Sequence, residues 1–195
     1  MKKFASAFLF SALAVSTPAD EAKDFGEIFT KGKIDFKSRL SYEYADTNDA
    51  GNKKEANALT LSNYLGFRTA EHRGISLYAQ YHNNDRIVSD YNDTFNGKNY
   101  DTVADPDLHR WQQLYVDFTH LPDTTVRVGR QEILQNDVRF IGNIGWRQTA
   151  QTFDAVTVTN KSFDKLELFA GYADKVNTIF GNSVEYDHIL MFNAK

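Results

Sequence analysis

From Ile34 to Tyr44 the chain alternates strictly. Ile34, Phe36, Ser38, Leu40, Tyr42 and Tyr44 fall on one parity, Asp35, Lys37, Arg39, Ser41 and Glu43 on the other. A period of two with one greasy and one wet side predicts a β-strand. The rhythm returns in Leu59, Leu61, Leu65 and Phe67 opposite Thr60, Ser62, Tyr64 and Arg68. It returns again in Ile75, Leu77, Ala79 and Tyr81 opposite Ser76, Tyr78, Gln80 and His82. A fourth strand sets Leu114, Val116 and Phe118 against Trp111, Gln113, Tyr115 and Asp117, and a fifth sets Val126 and Val128 around Arg127. Phe153 to Thr159 makes a sixth, Leu166 to Tyr172 a seventh, and an eighth starts near Glu185 and runs on at Lys195.

The connections alternate as well. Short turns are expected at Thr69–Gly74, His120–Asp123 and Asn160–Ser162, and longer polar segments at Asp46–Asn57, Asn83–His109, Ile133–Thr152 and Asp174–Val184. Tight turns at one end and long loops at the other are the mark of an outer-membrane barrel threaded from the periplasm. Such a strand turns its apolar side to lipid and its polar side to a wet interior. The competing architecture, a water-soluble β-sandwich, also alternates, but seldom carries strands of this length with charged inward faces. Eight strands could close a small barrel. However, Lys37, Arg39, Glu43, Arg68 and Asp117 suit a water-filled lumen, and the final HILMFNAK carries no terminal aromatic residue. The expectation is therefore an all-β, antiparallel transmembrane β-barrel, with about eight strands present as a truncated, N-terminal part of a larger barrel.

Residues 1–19 read differently. Lys2 and Lys3 precede an apolar run from Phe4 to Val15, and Thr17-Pro18-Ala19 supplies small residues before Asp20. That is the three-part pattern of a secretory signal peptide, and the run is too short to span a bilayer as a helix. Residues 20–195 then form the exported domain. Loss of Lys2 and Lys3 moves the formal charge from −4 to −6, which argues against a nucleic-acid partner, whose footprint is basic. The absence of cysteine removes disulfides and thiolate sites. A mean hydropathy of −0.51 with 14% aromatics excludes a helical membrane protein but not a barrel, in which the apolar half is averaged away.

One block is more specific. RVGRQ at 127–131 is followed by RF-G--GWRQ over 139–148 and QTFDA over 151–155. VADP at 103–106 and NTIFG at 177–181 accompany it. This pattern resembles the alginate export family of Gram-negative outer-membrane porins. The resemblance implies a large monomeric barrel with more strands than are present here, and passive passage of a solute. Its name comes from members that export an anionic polysaccharide, which does not fix the cargo of each member.

Read physically, the block concentrates Arg127, Arg130, Arg139 and Arg147 beside Asp137 and Asp154. A loop of this kind folded into a barrel would narrow it and bring guanidinium groups to the constriction, where arginines select anions. The bland alternative is that Arg139 and Arg147 pair with Asp137 and Asp154 and only pin the loop. The candidate pore-lining and constriction residues are Lys37, Arg39, Arg68, Arg127, Arg130, Arg139, Arg147 and Asp154. Tyr64, Tyr78, Trp111 and Tyr115 could stack on sugar rings or simply fill the barrel. The inward charges of the first strands are mixed, so a general polar-solute channel is as compatible as an anion channel.

Catalytic patterns are sparse. The histidines show no HExxH or i,i+4 spacing, and no GxSxG occurs. No cofactor, metal or enzymatic activity is expected. The expected partners are outer-membrane lipid and a polar or anionic saccharide or other small solute, and the expected location is the outer membrane. The alternatives are a secreted carbohydrate-binding β-sandwich and a barrel hydrolase using Ser62 or Ser76 with His82 or His109.

Overall fold

The computed structural model of the chain describes residues 3–13, 21–47, 52–139 and 141–195. Residues 1–2 and 14–20, which hold part of the expected leader, residues 48–51, and Phe140 of the arginine block lie outside them. The strands are β1 (Lys3–Leu13), β2 (Lys33–Asp46), β3 (Ala56–Arg68), β4 (Ile75–Asp90), β5 (Leu108–Phe118), β6 (Thr124–Gln131), β7 (Thr152–Phe163), β8 (Leu166–Asn177) and β9 (Ser183–Ala194). They form a single antiparallel sheet in sequence order, each strand bonded to the next. Strands β2–β9 are the eight expected from the periodicity. The ninth, β1, comes from the segment read as a leader and pairs with β2 from Lys3↔Asp46 to Leu13↔Lys37. The sheet is open, with β1 and β9 at its edges.

The burial pattern is the reverse of a soluble protein's. In β3, Thr60, Ser62 and Tyr64 are buried, whereas Leu65 is 56% exposed. Ile34, Phe36, Ile75, Leu77, Leu114, Phe118, Val128, Val156, Leu190 and Phe192 are exposed on the same side of the sheet. Among the described residues, no second sheet covers this face. Leu40 and Leu61 pair across β2 and β3 without being buried, and Leu77 is 39% exposed. The sandwich arrangement, which would put these three under a second layer, is not what forms. Polar residues within the greasy face pair with each other: the Ser38 hydroxyl donates to Asn63 Oδ1 at 2.7 Å.

The loop pattern holds with three corrections, the first being that the loop expected over 83–109 shrinks to 91–107 because β4 runs on to Asp90. Long connections 47–55, 91–107 and 132–151 gather at one end, and the turns 69–74 and 119–123 at the other. The β7–β8 turn is not at 160–162. β7 continues through an irregularity between Asn160 and Phe163, and the chain reverses at Asp164–Lys165, where Lys165 takes φ 58°. The fourth loop shrinks to residues 178–182 because β8 extends to Asn177 through a bulge at Asp174.

A second bulge changes a face. Gln80 pairs with Gln113 but Tyr81 pairs with Trp111, so Gln112 is an extra residue. One inserted residue reverses the parity beyond it. Gln112 is therefore buried on the polar side, and Trp111 turns to the apolar side, edge-on to Tyr81 at 5.5 Å. Trp111 is thus not part of an inward aromatic track; Tyr64, Tyr78 and Tyr115 are on that side and buried.

Candidate functional site: a loop latched onto the polar face

Loop 132–151 lies on the polar side of the sheet and is held there at two places. The first is a polar latch on β2–β5. Gln148, 1% exposed, accepts from Arg39 Nε at 2.6 Å and donates through Nε2 to Thr60 Oγ1 at 2.8 Å and Thr60 O at 3.1 Å. Its backbone carbonyl receives the hydroxyls of Ser62 (2.9 Å) and Tyr64 (2.8 Å). Two residues on, the Ala150 carbonyl accepts from Gln112 Nε2 at 2.6 Å and Arg110 Nη2 at 2.9 Å, while the Ala150 amide donates to Tyr64 OH at 3.0 Å. The inward polar residues of four strands thus find their acceptors in the loop backbone, the accounting that buried polar groups require.

The second attachment is apolar. Ile133 joins Phe153, Ala155, Phe169, Ala173, Val176 and Met191 in a buried cluster, with Ile141 and Ile189 packed against it. The same side of β7–β9 is therefore greasy under the loop's start, although it is polar over β2–β5. Between them, Glu132 accepts from Asn143 Nδ2 at 2.6 Å. Burial holds its carboxyl above the usual carboxylate range.

Arg147 ties the latch to a neighbouring loop. It contacts Glu43 at 3.1 Å and Asp105 at 3.5 Å, and Asp105 Oδ1 also accepts the Gln148 amide at 2.9 Å. The 91–107 loop is itself seated by Tyr91, whose hydroxyl donates to the Asp105 carbonyl at 2.6 Å. Arg147 does not pair with Asp154 or Asp137. Its partners come from β2 and from the 91–107 loop, 104 and 42 positions away in sequence.

The other arginines divide. Arg127 grips Asp117 with two bonds, Nε–Oδ1 at 2.6 Å and Nη2–Oδ2 at 3.0 Å, and Arg68 Nη1 reaches Oδ2 at 3.1 Å. The Arg127 guanidinium lies 3.9 Å from the Tyr115 ring centre. Lys37 and Arg39 are on this same side, Lys37 over the Tyr64 ring at 5.2 Å and Arg39 also donating to the Gly145 carbonyl at 3.2 Å. Arg130 and Asp154 are on the other side. They pair with each other (2.7 Å) and align with Leu114 and with the strand position two before Val156. Their register with apolar neighbours takes both out of the inward-facing set. Arg139 is exposed at the end of a 3-10 turn, Asn136–Val138.

Ser62 and His82 do meet, with Oγ 3.0 Å from Nε2. Both are buried under Gln148. The Ser62 hydroxyl donates to the Gln148 carbonyl, and Nε2 lies 3.2 Å from that same oxygen. Nε2 then carries its proton toward two acceptors, and Nδ1 is left buried without a partner. A base with no lone pair facing the serine cannot activate it, so this pair fastens the loop rather than forming a nucleophile.

Comparison with known proteins agrees with this geometry. The family model described as Alginate export matches residues 32–172. The chain belongs to the alginate export family. No curated protein and no solved structure matches it. The matched span runs from the residue before β2 through the latched loop to Tyr172, so the alginate export match takes in both halves of the latch. It also gives the motif glycine a reason. Gly129, at φ 126°, sits where a Cβ would lie 2.3 Å from the Leu114 carbonyl oxygen, so this close strand approach requires glycine. VADP and GWRQ, over 40 residues apart in sequence, meet through Asp105 and the Arg147–Gln148 pair.

What sequence reasoning missed were the carbonyl-binding donors, Arg110 and Gln112. Arg110 lies between His109 and Trp111 with no pattern to mark it, and Gln112 is the bulge residue. It also missed a grouping of Asp85, Asp107 and His109 at the long-loop end, which only the pairing of β4 with β5 brings together.

Proposed function

We propose that the chain is the N-terminal part of an outer-membrane β-barrel that acts as a porin or export channel for polar or anionic solutes. Residues 1–19 serve as a removable leader. The edge of β2 that β1 occupies is then available to a closing strand of the complete barrel. The observation that carries this reading is the inverted sheet: an uncovered face of large apolar side chains opposite a polar face on which a loop is folded. An apolar surface this extensive is unusual on a soluble monomer and marks a lipid or protein interface. Tyr81, Trp111 and Tyr172, exposed on that face toward the long-loop end, suit the membrane–water boundary.

In this reading loop 132–151 narrows the lumen, and solute passes by diffusion without chemistry. Arg147 pins the loop, because its charge is spent on Glu43 and Asp105. Recognition of an anionic solute falls to Arg68 and Arg127, two guanidinium groups sharing one carboxylate, beside Tyr78 and Tyr115. Arg127 borders a hollow of about 340 Å³ with Glu132, Thr157 and Phe169. A solute carboxylate can be gripped there by charge-assisted bonds, and sugar rings can lie on the tyrosines.

The absence of native cysteine makes a thiol test clean. In cells making the complete protein, Leu77→Cys should resist a charged, membrane-impermeant thiol reagent but react with an apolar maleimide, while Asp35→Cys should react with the charged reagent. Equal reactivity of both positions with the charged reagent would place the greasy face in water and end the barrel reading. Bilayer conductance with anionic and neutral oligosaccharides then compares cargoes.

A further inference from the structure

The long-loop end of β4 and β5 carries a group that the channel reading does not use. Asp85 lies near the end of β4, Asp107 immediately precedes β5, and His109 is the second residue of β5. One ligand atom from each lies within 4.8 Å of the other two. His109 Nε2 is 3.4 Å from Asp107 Oδ1 and 3.8 Å from Asp85 Oδ1. A tetrahedral ion with bonds of about 2.0–2.2 Å holds its ligand atoms about 3.3–3.6 Å apart. Two of the three edges are thus at or near the required spacing before any ion is bound.

The remaining oxygens are held from outside the group. Asn83 Nδ2 donates to Asp85 Oδ2 at 2.5 Å, and Arg86 Nε lies 3.6 Å from Asp107 Oδ2. Asp85 is therefore oriented through one oxygen by a hydrogen bond, as outer partners orient metal-ligating carboxylates, while Asp107 has only the longer charge contact with Arg86, whose closer partner is Asp93. The other oxygen of each faces the imidazole. Among the described residues, the three facing atoms make no hydrogen bond to one another or to anything else, although they face each other at near-bonding range. The main competing contact is a protonated His109 shared between two aspartates, an exposed ion pair of small worth.

We propose that Asp85, Asp107 and His109 form a divalent transition-metal site on the rim, taking Zn²⁺ in preference to Ca²⁺, with water completing the coordination. One imidazole nitrogen and two carboxylate oxygens are a borderline donor set: the nitrogen favours zinc-like ions over calcium, which prefers six or more oxygens. Two carboxylates neutralise the ion, and its open positions face outward. The site needs only the β4–β5 pairing and does not depend on the channel reading.

The complete protein, purified in detergent and stripped with chelator, should bind one equivalent of Zn²⁺ by calorimetry. Co²⁺ should give the intense visible absorption of a tetrahedral ion. His109→Ala and Asp107→Asn should each weaken Zn²⁺ binding at least about tenfold, whereas His120→Ala, in the distant turn, should not. Ca²⁺ should compete poorly. Zn²⁺ binding that survives both His109→Ala and Asp107→Asn, or no saturable binding in the wild type, would overturn the site and leave the three residues as an ion pair.

Discussion

Removing the side chain of Gln148 tests the latch most directly. In Gln148→Ala the loop backbone keeps its carbonyl and amide, so the Ser62, Tyr64 and Asp105 contacts can persist. What is lost is the bond from Arg39 Nε at 2.6 Å and the Nε2 bond to Thr60 Oγ1 at 2.8 Å, with its further contacts to Thr60 O at 3.1 Å and Arg39 O at 3.3 Å. A hydrogen bond to a charged group is worth about 1.5–3 kcal/mol and a neutral one about 0.5–1.5. The docked loop should therefore lose about 3 kcal/mol relative to the undocked one, close to a hundredfold in the opening equilibrium. The Gln148 and Ala150 amides report that opening, because they donate to Asp105 Oδ1 and Tyr64 OH, which the loop must leave to exchange. Their hydrogen-exchange rates should rise about a hundredfold, in proportion to the opening equilibrium, and open-channel conductance should increase with added current noise. Gln151→Ala is the matched control. Among the described residues its side chain bonds to the Gly142 carbonyl within the loop and to nothing on the sheet, so it should leave both amides protected. If the Gln148 and Ala150 amides exchange as slowly in Gln148→Ala as in the wild type, the latch does not hold the loop and the constriction assignment loses its physical basis.

Asp117→Ala strands Arg68 and Arg127 without their shared carboxylate, and breaking a largely buried pair in this way costs about 3–5 kcal/mol. The urea midpoint for folding into detergent should fall accordingly, with Asp117→Asn intermediate, and an unchanged midpoint would refute the charge argument. Glu132 gives a pH signature. Its folded pKa is raised by burial above the ordinary value of 4.5, so its contribution to stability is fully present below that value and is lost as pH rises through the folded pKa. Protection of loop 132–151 should decline over that window in the wild type and stay flat in Glu132→Gln; equal pH dependence in the two proteins would assign the effect elsewhere.

The periodicity made the strands legible because apolar positions are answered by polar ones in segment after segment, over eleven residues from Ile34 to Tyr44 at the longest. Phase was legible only up to the first bulge. Nothing in the local sequence RWQQLYV marks Gln112 as an inserted residue; the insertion is defined by the partner strand, which takes Gln80 to Gln113 and Tyr81 to Trp111. The same limit applies to Arg130 and Asp154. They sit in an arginine-rich motif, yet the strand register through Val128 and Val156 puts them among apolar side chains. The loop's arginines were legible but their partners were not, since Arg147 finds Glu43 and Asp105 only once the fold has brought β2 and the 91–107 loop beside it.

In the channel proposed above, that difference adds a second electrostatic centre to the one at Arg68 and Arg127. Sequence alone puts the anion-attracting charge in the 139–148 motif, but there Arg147 touches two carboxylates and has little field left to offer a solute. Arg110, which no motif marks, is half-buried on the polar face and directs its hydrogen bonds to the Thr178 and Ala150 carbonyls and to Gln112 Oε1. Carbonyl dipoles satisfy a guanidinium's hydrogen bonds without cancelling its charge. A guanidinium so held behind the loop projects its potential into whatever space the loop leaves open, and less water there means weaker screening. The loop then has two separate effects on an anion: its Arg147 fixes the width of the passage, and its backbone holds a cation from the wall, Arg110, in place without neutralising it.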